Sequence, residues 1–267
     1  MEFTEHEVRL LQGTVKYHKG GTGLPLLYFH SAGGVRITPP IKALLDKHTI
    51  YMPVVPGFDG TKLLNGIDTY QDLAKLFAEF ADTVIKAQCD VLGHSFGGRL
   101  AIWFASLYPE KTRLLVLEAP SGFRPAGMKD VDPGNADAML RAMYAHPEKL
   151  PPNQKPREMA VENRKMAEHY HKNRNMEEAL VGQLPKLRAV TLILRGTKDG
   201  RVPDESVLFL KAKITTSHLI YVYDAAHAIE VDQPERFLTL VGDFLARGQG
   251  FLVNAGTGEE LADAELA

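Results

Sequence analysis

One cysteine, Cys89, and one tryptophan, Trp103, are all that 267 residues contain of either type. A lone thiol excludes an internal disulfide, and Cys89 sits in an apolar run where burial is expected. This suits a reducing compartment. No apolar run approaches the roughly 18 residues that a spanning helix needs, so no membrane partner is expected. Neither sign of charge dominates: 31 basic against 33 acidic side chains leave a net charge of -2. That gives no basic field for nucleic acid or an anionic surface. The opening stretch MEFTEHEVRLLQG is charged and lacks an apolar core, so no secretory peptide is expected and a cytoplasmic location is. Internal repeats are also absent.

What is present is an alternation. Glu7–Tyr17 reads as a hairpin or two edge strands, broken at Gly13. LPLLYFH (Leu24–His30), HTIYMPVV (His48–Val55), QCDVLGHS, TRLLVLEAP (Thr112–Pro120) and AVTLILRGT are short apolar runs, as expected of strands buried on both faces. SHLIYVYDAA closes the series. Helices are expected between them: PPIKALLDK, Tyr70–Ile85 behind a Thr69/Asp72 capping box, Gly98–Tyr108, Asp204–Ile214 and Pro234–Ala246. The rhythm breaks once. Ser121–Lys186 holds no convincing strand, has helical pieces near Ala136–Ala145, Arg157–Lys172 and Met176–Leu184, and carries six of the eight methionines. Asn175 and Glu178 fit a cap for the third piece. The tail NAGTGEELADAELA is expected to be loose or marginally helical. The division that follows is a mostly parallel, doubly covered sheet from 1–120 and 187–267, interrupted by a helical insertion at 121–186. Such an insertion falls at the carboxyl ends of the strands, where open α/β sheets bind ligands.

Gly93-His94-Ser95-Phe96-Gly97 matches G-x-S-x-G. Chance alone supplies that pattern in roughly one chain of ten at this length, so its setting decides. An apolar strand runs in and an amphipathic helix runs out, which is the setting a nucleophile turn requires. Side chains at 93 and 97 would collide with the neighbouring strand and helix, which explains glycine at both.

A serine hydroxyl needs a base, and the base needs an orienting acid. Asp199 follows the strand AVTLILRGT and His227 follows the last strand, both on loops at the edge that carries Ser95. Glu118, at the end of the preceding strand, competes with Asp199 for the acid role. Asp224 is too close in sequence to reach behind the His227 ring easily. His94 points away from its neighbour Ser95 and is read as structural, and the spacing of His169 and His171 argues against a metal pair. One oxyanion donor is expected from the Phe96 N–H. The other is expected from the small-residue loop HSAGG (His30–Gly34), with Ala32 first and Ser31 second.

These segments together, FHSAGG, GHSFGG, LRGTKDGRVP and AAHAIEVDQPERF, resemble the α/β-hydrolase superfamily over nearly the whole chain. The resemblance implies the α/β-hydrolase fold with a helical cap between its sixth and seventh strands, where 121–186 falls. It implies Ser95 as acyl nucleophile, His227 as base and Asp199 as its partner, with no cofactor or metal. His-Ser-Ala-Gly-Gly departs from the commoner His-Gly beginning of the first loop. PVVPGFDGT departs from the family's Pro-Gly-x-Gly loop at Val54 and Asp59, and Asp59 is read as a turn cap. Serine rather than aspartate at the turn excludes the alkyl-ester chemistry of dehalogenases and epoxide hydrolases. The fold alone fixes no substrate.

The expected partner is a small molecule. Met128, Met139, Met143, Met159, Met166 and Met176, with Tyr144 and Tyr170, either line an adaptable apolar pocket or pack the insertion onto the core. Arg36, Arg99, Arg124 and Arg188 are candidate cations for a substrate carboxylate. The leading expectation is a carboxylesterase or lactonase acting on a small to medium apolar ester. A C–C bond hydrolase of vinylogous diketones and a slow-turnover ligand receptor are the alternatives, and homodimerisation is left open.

Overall fold

The computed structural model describes residues 1–128, 131–132, 135–151, 155–172 and 176–252. Its eight strands are β1 (Thr4–Arg9), β2 (Thr14–Gly20), β3 (Leu24–Phe29), β4 (His48–Pro53), β5 (Cys89–His94), β6 (Thr112–Glu118), β7 (Val190–Gly196) and β8 (Ser217–Val222). They form one sheet in the order β1-β2-β4-β3-β5-β6-β7-β8. β1 pairs antiparallel with β2 and β2 with β4. Every later pair is parallel. The hairpin expected near Gly13 is therefore the edge of an otherwise parallel sheet.

Nine helices connect the strands among the described residues: α1 (Pro39–Ala43), α2 (Tyr70–Phe80), α3 (Phe96–Leu107), α4 (Ala136–Met143), α5 (Arg157–His171), α6 (Glu178–Val181), α7 (Asp204–Lys213), α8 (Ile229–Asp232) and α9 (Pro234–Arg247). The capping box of α2 forms: Thr69 Oγ1 accepts the Asp72 N–H at 3.1 Å and the Asp72 carboxylate accepts the Thr69 N–H at 3.0 Å. Behind it Leu73, Leu76, Phe77 and Phe80 are buried. Phe29 of β3 lies 5.2 Å from Phe77 and 5.7 Å from Phe104, ring centre to ring centre, so α2 and α3 share one face of the sheet. α1 and α9 pack together elsewhere on the sheet, and Phe237, Val241 and Phe244 of α9 are buried there. Each such side chain contributes about 1.5–3 kcal/mol by leaving water.

Several boundaries differ from expectation. α3 begins at Phe96 rather than Gly98, because the chain turns into helix directly after Ser95. α2 passes at Ala81 into a π-helical turn that runs to Ile85. α8, a single turn after His227, has too few residues to show a periodicity. The third piece of the insertion is only Glu178–Val181, with Glu177 at its N-cap position making no side-chain cap. Asn175 and the tail 254–267 lie outside the described residues. Cys89 is buried, and burial pushes its thiol up to about 12. No helix among the described residues is long and apolar enough to cross a membrane.

Candidate active site

The parallel register brings the ends of β5, β6, β7 and β8 to one edge, with His94 opposite Glu118, Glu118 opposite Leu194 and Gly196 opposite Val222. Ser95, Asp199 and His227 each follow one of these strands. Ser95 sits at φ 55° and ψ -108°, a backbone state that costs a non-glycine residue about 1–3 kcal/mol and persists only where its surroundings enforce it. The enforcing contacts are visible. The Ser95 N–H donates to the Glu118 carbonyl at 2.9 Å, and the Ser95 carbonyl accepts the Ser121 N–H at 3.0 Å. A Cβ at Gly93 would lie 2.3 Å from the Gly97 carbonyl oxygen, and one at Gly97 would lie 2.0 Å from that of Phe29. Both glycines are thus required by backbone, which no rotamer change relieves. Ser95 stays partly exposed while the residues on both sides of it are buried.

His227 meets Asp199 through Nδ1, at 3.1 and 3.2 Å from the two carboxylate oxygens. Asp199 Oδ1 also accepts the N–H groups of Arg201 at 2.7 Å and Val202 at 3.0 Å. Burial opposes ionisation of Asp199, but the His227 ring and these two N–H groups outweigh it and hold the carboxyl below its usual range. A carboxylate on Nδ1 places the ring proton there and leaves Nε2 with its lone pair. Among the described residues no hydrogen bond engages Nε2 or the Ser95 hydroxyl. In unliganded sites such contacts are commonly long and tighten with substrate.

Glu118, the rival acid, is elsewhere occupied. Its Oε1 accepts the N–H groups of Ile229 at 2.8 Å and Glu230 at 3.1 Å, which fixes the first turn of α8. His94 supports the same segment: its Nε2–H donates to the His227 carbonyl at 3.0 Å, and its ring centre lies 5.1 Å from that of His227. Burial lowers His94 to about 4. His94, Glu118 and Glu230 are the one group of three metal-ligand side chains gathered within 4.8 Å among the described residues. Burial and the neighbouring Glu230 charge push Glu118 well above the usual carboxyl range. Glu230, which burial alone would raise, is held low by His94, Glu118 and Arg36. The two buried carboxyls are thus pushed in opposite directions, as expected where like charges share a site.

The first loop reaches the nucleophile turn closely, since the site a Gly97 Cβ would take is also 2.6 Å from the His30 carbonyl. His30 is locked beneath this loop: Nδ1–H donates to the Ser31 carbonyl at 2.8 Å and Nε2 accepts the Val55 N–H at 3.0 Å. Burial lowers His30 to about 4. The N–H groups of Ser31 and Ala32 make no hydrogen bond among the described residues. Phe96, at the first position of α3, has an N–H of the kind a helix leaves unpaired.

The remaining candidates are dispersed. Asp224 accepts from His146 at 2.9 Å and from Lys198 at 2.5 Å, whereas His227 Nδ1 is taken by Asp199. His169 pairs with Asp68 at 3.0 Å, whereas His171 faces Tyr70, so the two do not share a ligand. Arg99 is buried against Glu177, which removes it as a free substrate cation. Arg124 donates to the Arg201 carbonyl and Arg188 is exposed. Arg36 donates to the Tyr144 hydroxyl at 2.8 Å, and Tyr144 packs against Ala228, beside His227. Met128 is exposed, while Met166 packs on the core.

Two functional neighbours escape a reading of the sequence. Asp232, wholly buried, accepts the N–H groups of Ala145 at 2.9 Å, His146 at 2.9 Å and Ala226 at 2.7 Å, joining the insertion to the histidine loop. Its one signal is an acid two residues before the proline that opens α9. Asn163, also wholly buried, lies on α5 and bonds Gly33 and Asp59. Asp59 is thereby part of a buried network and more than a turn cap.

Residues 21–240 match the model of the alpha/beta hydrolase family. The chain is 26% identical over 261 residues to a 2-hydroxy-6-oxo-2,4-heptadienoate hydrolase of Pseudomonas putida, covering 86% of this chain and 91% of that protein. It is 25% identical over 258 residues to a pimeloyl-[acyl-carrier protein] methyl ester esterase of Aeromonas hydrophila, covering 87% and 99%. Among solved structures, serine hydrolase CCSP0084 of a polyaromatic-hydrocarbon-degrading Cycloclasticus superposes with a TM-score of 0.76 at 15% identity, covering 95% of this chain and all of that one. The fold, the turn at Ser95 and these relatives converge: the chain belongs to the alpha/beta hydrolase family.

Proposed function

We propose that this chain is a serine hydrolase that cleaves a carboxylic ester or lactone through an acyl-enzyme at Ser95. The observation that carries the reading is the Asp199–His227 pair, 3.1 Å apart on the loops after β7 and β8, on the sheet edge that presents Ser95. In this mechanism His227 Nε2 takes the Ser95 hydroxyl proton as Oγ bonds the substrate carbonyl carbon. The N–H groups of Phe96 and Ala32 stabilise the oxyanion, with the Ser31 N–H as the alternative second donor. His227 then gives its proton to the leaving alkoxide. Water repeats the sequence on the acyl-enzyme, releasing the acid and restoring Ser95. Asp199 keeps the ring in the Nδ1–H tautomer and offsets the charge of the imidazolium, without taking the proton. In the same reading 121–186 is a cap over the strand ends, and its contents select the substrate.

A C–C bond hydrolase is the second reading. It is favoured by Arg36, a cation between the first loop and Tyr144, which suits a substrate carboxylate. The Pseudomonas relative is likewise named for a dienoate. A panel of p-nitrophenyl esters beside a ring-cleavage dione separates the two. Turnover of short esters with little dione cleavage supports the ester reading, and rapid dione turnover with negligible ester hydrolysis overturns it.

A further inference from the structure

The loop that carries Ser31 and Ala32 is held in part from outside the core. Its turn closes with the Gly34 N–H on the Ser31 carbonyl at 3.0 Å. Beyond that turn, and beside the bonds its own His30 and Ser31 side chains make to the Ser31 carbonyl and the Gly33 N–H, its backbone groups go to three more side chains. The Gly33 carbonyl accepts Asn163 Nδ2 at 2.9 Å and Lys155 Nζ at 3.2 Å. The Val35 N–H donates to Asp59 Oδ2 at 2.8 Å. Asp59 and Asn163 are joined twice, by the Asp59 N–H to Asn163 Oδ1 at 2.8 Å and by Asn163 Nδ2 to Asp59 Oδ1 at 2.8 Å. Lys155 neutralises Asp59. All three converge on Gly34: a Cβ there would lie 2.1 Å from Asp59 Oδ1, 2.4 Å from Lys155 Nζ and 2.6 Å from Asn163 Nδ2. At φ 81° that glycine is also in the left-handed region.

Asn163 lies on α5 and Lys155 just before it, both in the insertion, whereas Asp59 is a core residue at φ 51°. The amide of Asn163 has its oxygen and both N–H bonds committed at once in a wholly buried place. A buried group satisfied this completely is costly to leave half-paired. The insertion therefore holds the Gly33 peptide, and through the 31–34 turn it holds the Ala32 and Ser31 N–H groups.

We infer that Asn163 and Asp59 are positioning residues for the oxyanion site, so that the catalytic loop reaches its working geometry only when α5 is seated on it. The inference rests on the serine-hydrolase reading. Neither residue touches the reacting atoms. They act through the Gly33–Val35 backbone, and undocking of α5 would release the loop and weaken oxyanion stabilisation. Substrate that favours the seated insertion would thereby favour its own turnover.

The test compares Asn163→Ala and the isosteric Asp59→Asn with the full-length wild type, using p-nitrophenyl acetate turnover, phenylboronic acid affinity and amide exchange over 30–38. The expected result for Asn163→Ala is a kcat lower by about 10–100-fold, less than the full loss of an oxyanion donor, with KM within about threefold. Affinity for the tetrahedral boronate falls in parallel and the loop exchanges faster. Asp59→Asn, which keeps an acceptor for Val35 but opposes the Asn163 amide, shows the same pattern more weakly and serves alone where Asn163→Ala fails to fold. Folded variants with wild-type kcat and boronate affinity overturn the inference while wild-type turnover leaves the hydrolase reading standing. A wild type that neither turns over ester nor labels with a fluorophosphonate overturns both.

Discussion

Glu118 accepts the backbone N–H of Ile229 at 2.8 Å, and this one bond joins the end of β6 to the loop that presents His227. A second bond, from Glu230 to the same oxygen at 3.1 Å, makes the attachment a fork. Glu118→Ala leaves two buried N–H groups unpaired and is expected to cost about 2–3 kcal/mol. Glu118→Gln keeps the acceptor and is expected to stay within about 1 kcal/mol of wild type. Urea unfolding of the pair checks this, and equal destabilisation by both substitutions would contradict the fork.

In the proposed mechanism Asp199 fixes which nitrogen of His227 carries the proton. Asp199→Asn offers an N–H toward Nδ1 and favours the wrong tautomer. A fall in kcat of about 10³–10⁴-fold with a near-native fold is expected. Ester kinetics beside circular dichroism measure it, and retention of more than a tenth of the wild-type rate would return the acid role to the open question.

Gly97 is required by backbone on two sides. Gly97→Ala places a Cβ 2.0 Å from the Phe29 carbonyl oxygen, which forces β3 and the start of α3 apart. A loss of about 1–3 kcal/mol is expected. Because the displaced strand carries the proposed oxyanion loop, activity should fall further than stability explains. Thermal unfolding and turnover on the same sample test this, and a native melting temperature would show that the turn relaxes freely.

Stability should decline on mild acidification. His30 and His94 sit at about 4 in the folded chain because burial opposes their charge, against about 6.5 unfolded. The unfolded chain therefore binds protons between these values while the folded chain does not. Their contribution is full above about pH 6.5, is lost progressively down to about pH 4, and reaches about 3 kcal/mol each. Asp59 and Asp199, held low in the folded state, add loss in the same direction at still lower pH. Urea midpoints from pH 8 to 4 check the slope. Replacing His94 by Asn should flatten it between pH 6.5 and 4, and an unchanged slope in that variant would contradict the assignment.

Much of this was legible in the chain itself. The apolar runs into Ser95 and Asp199 mark strands buried on both faces, the run into His227 marks the half-buried edge strand, and the order of the loops after them is local information. Thr69 and Asp72 mark the start of α2 because a capping box is three residues long. The helix expected from Gly98 starts at Phe96, because close approach to β3 demands glycine inside its first turn rather than before it. Arg99 read as an available cation because its partner Glu177 lies 78 residues away. The Asp59–Asn163 pair spans 104 residues and Asp232 reaches back 87 to Ala145. Side-chain hydrogen bonds over such separations leave no periodic trace, so the contacts that support the candidate site stay hidden while its proposed reacting groups, each at a strand end, are marked by their segments.

The central claim is that Ser95 is an activated nucleophile. Incubation of the full chain with a fluorophosphonate, followed by intact mass and peptide mapping, tests it most directly. A single adduct on Ser95, absent in Ser95→Ala along with ester hydrolysis, is the expected result. An unlabelled wild type, an adduct on another residue, or hydrolysis that persists in Ser95→Ala would contradict it.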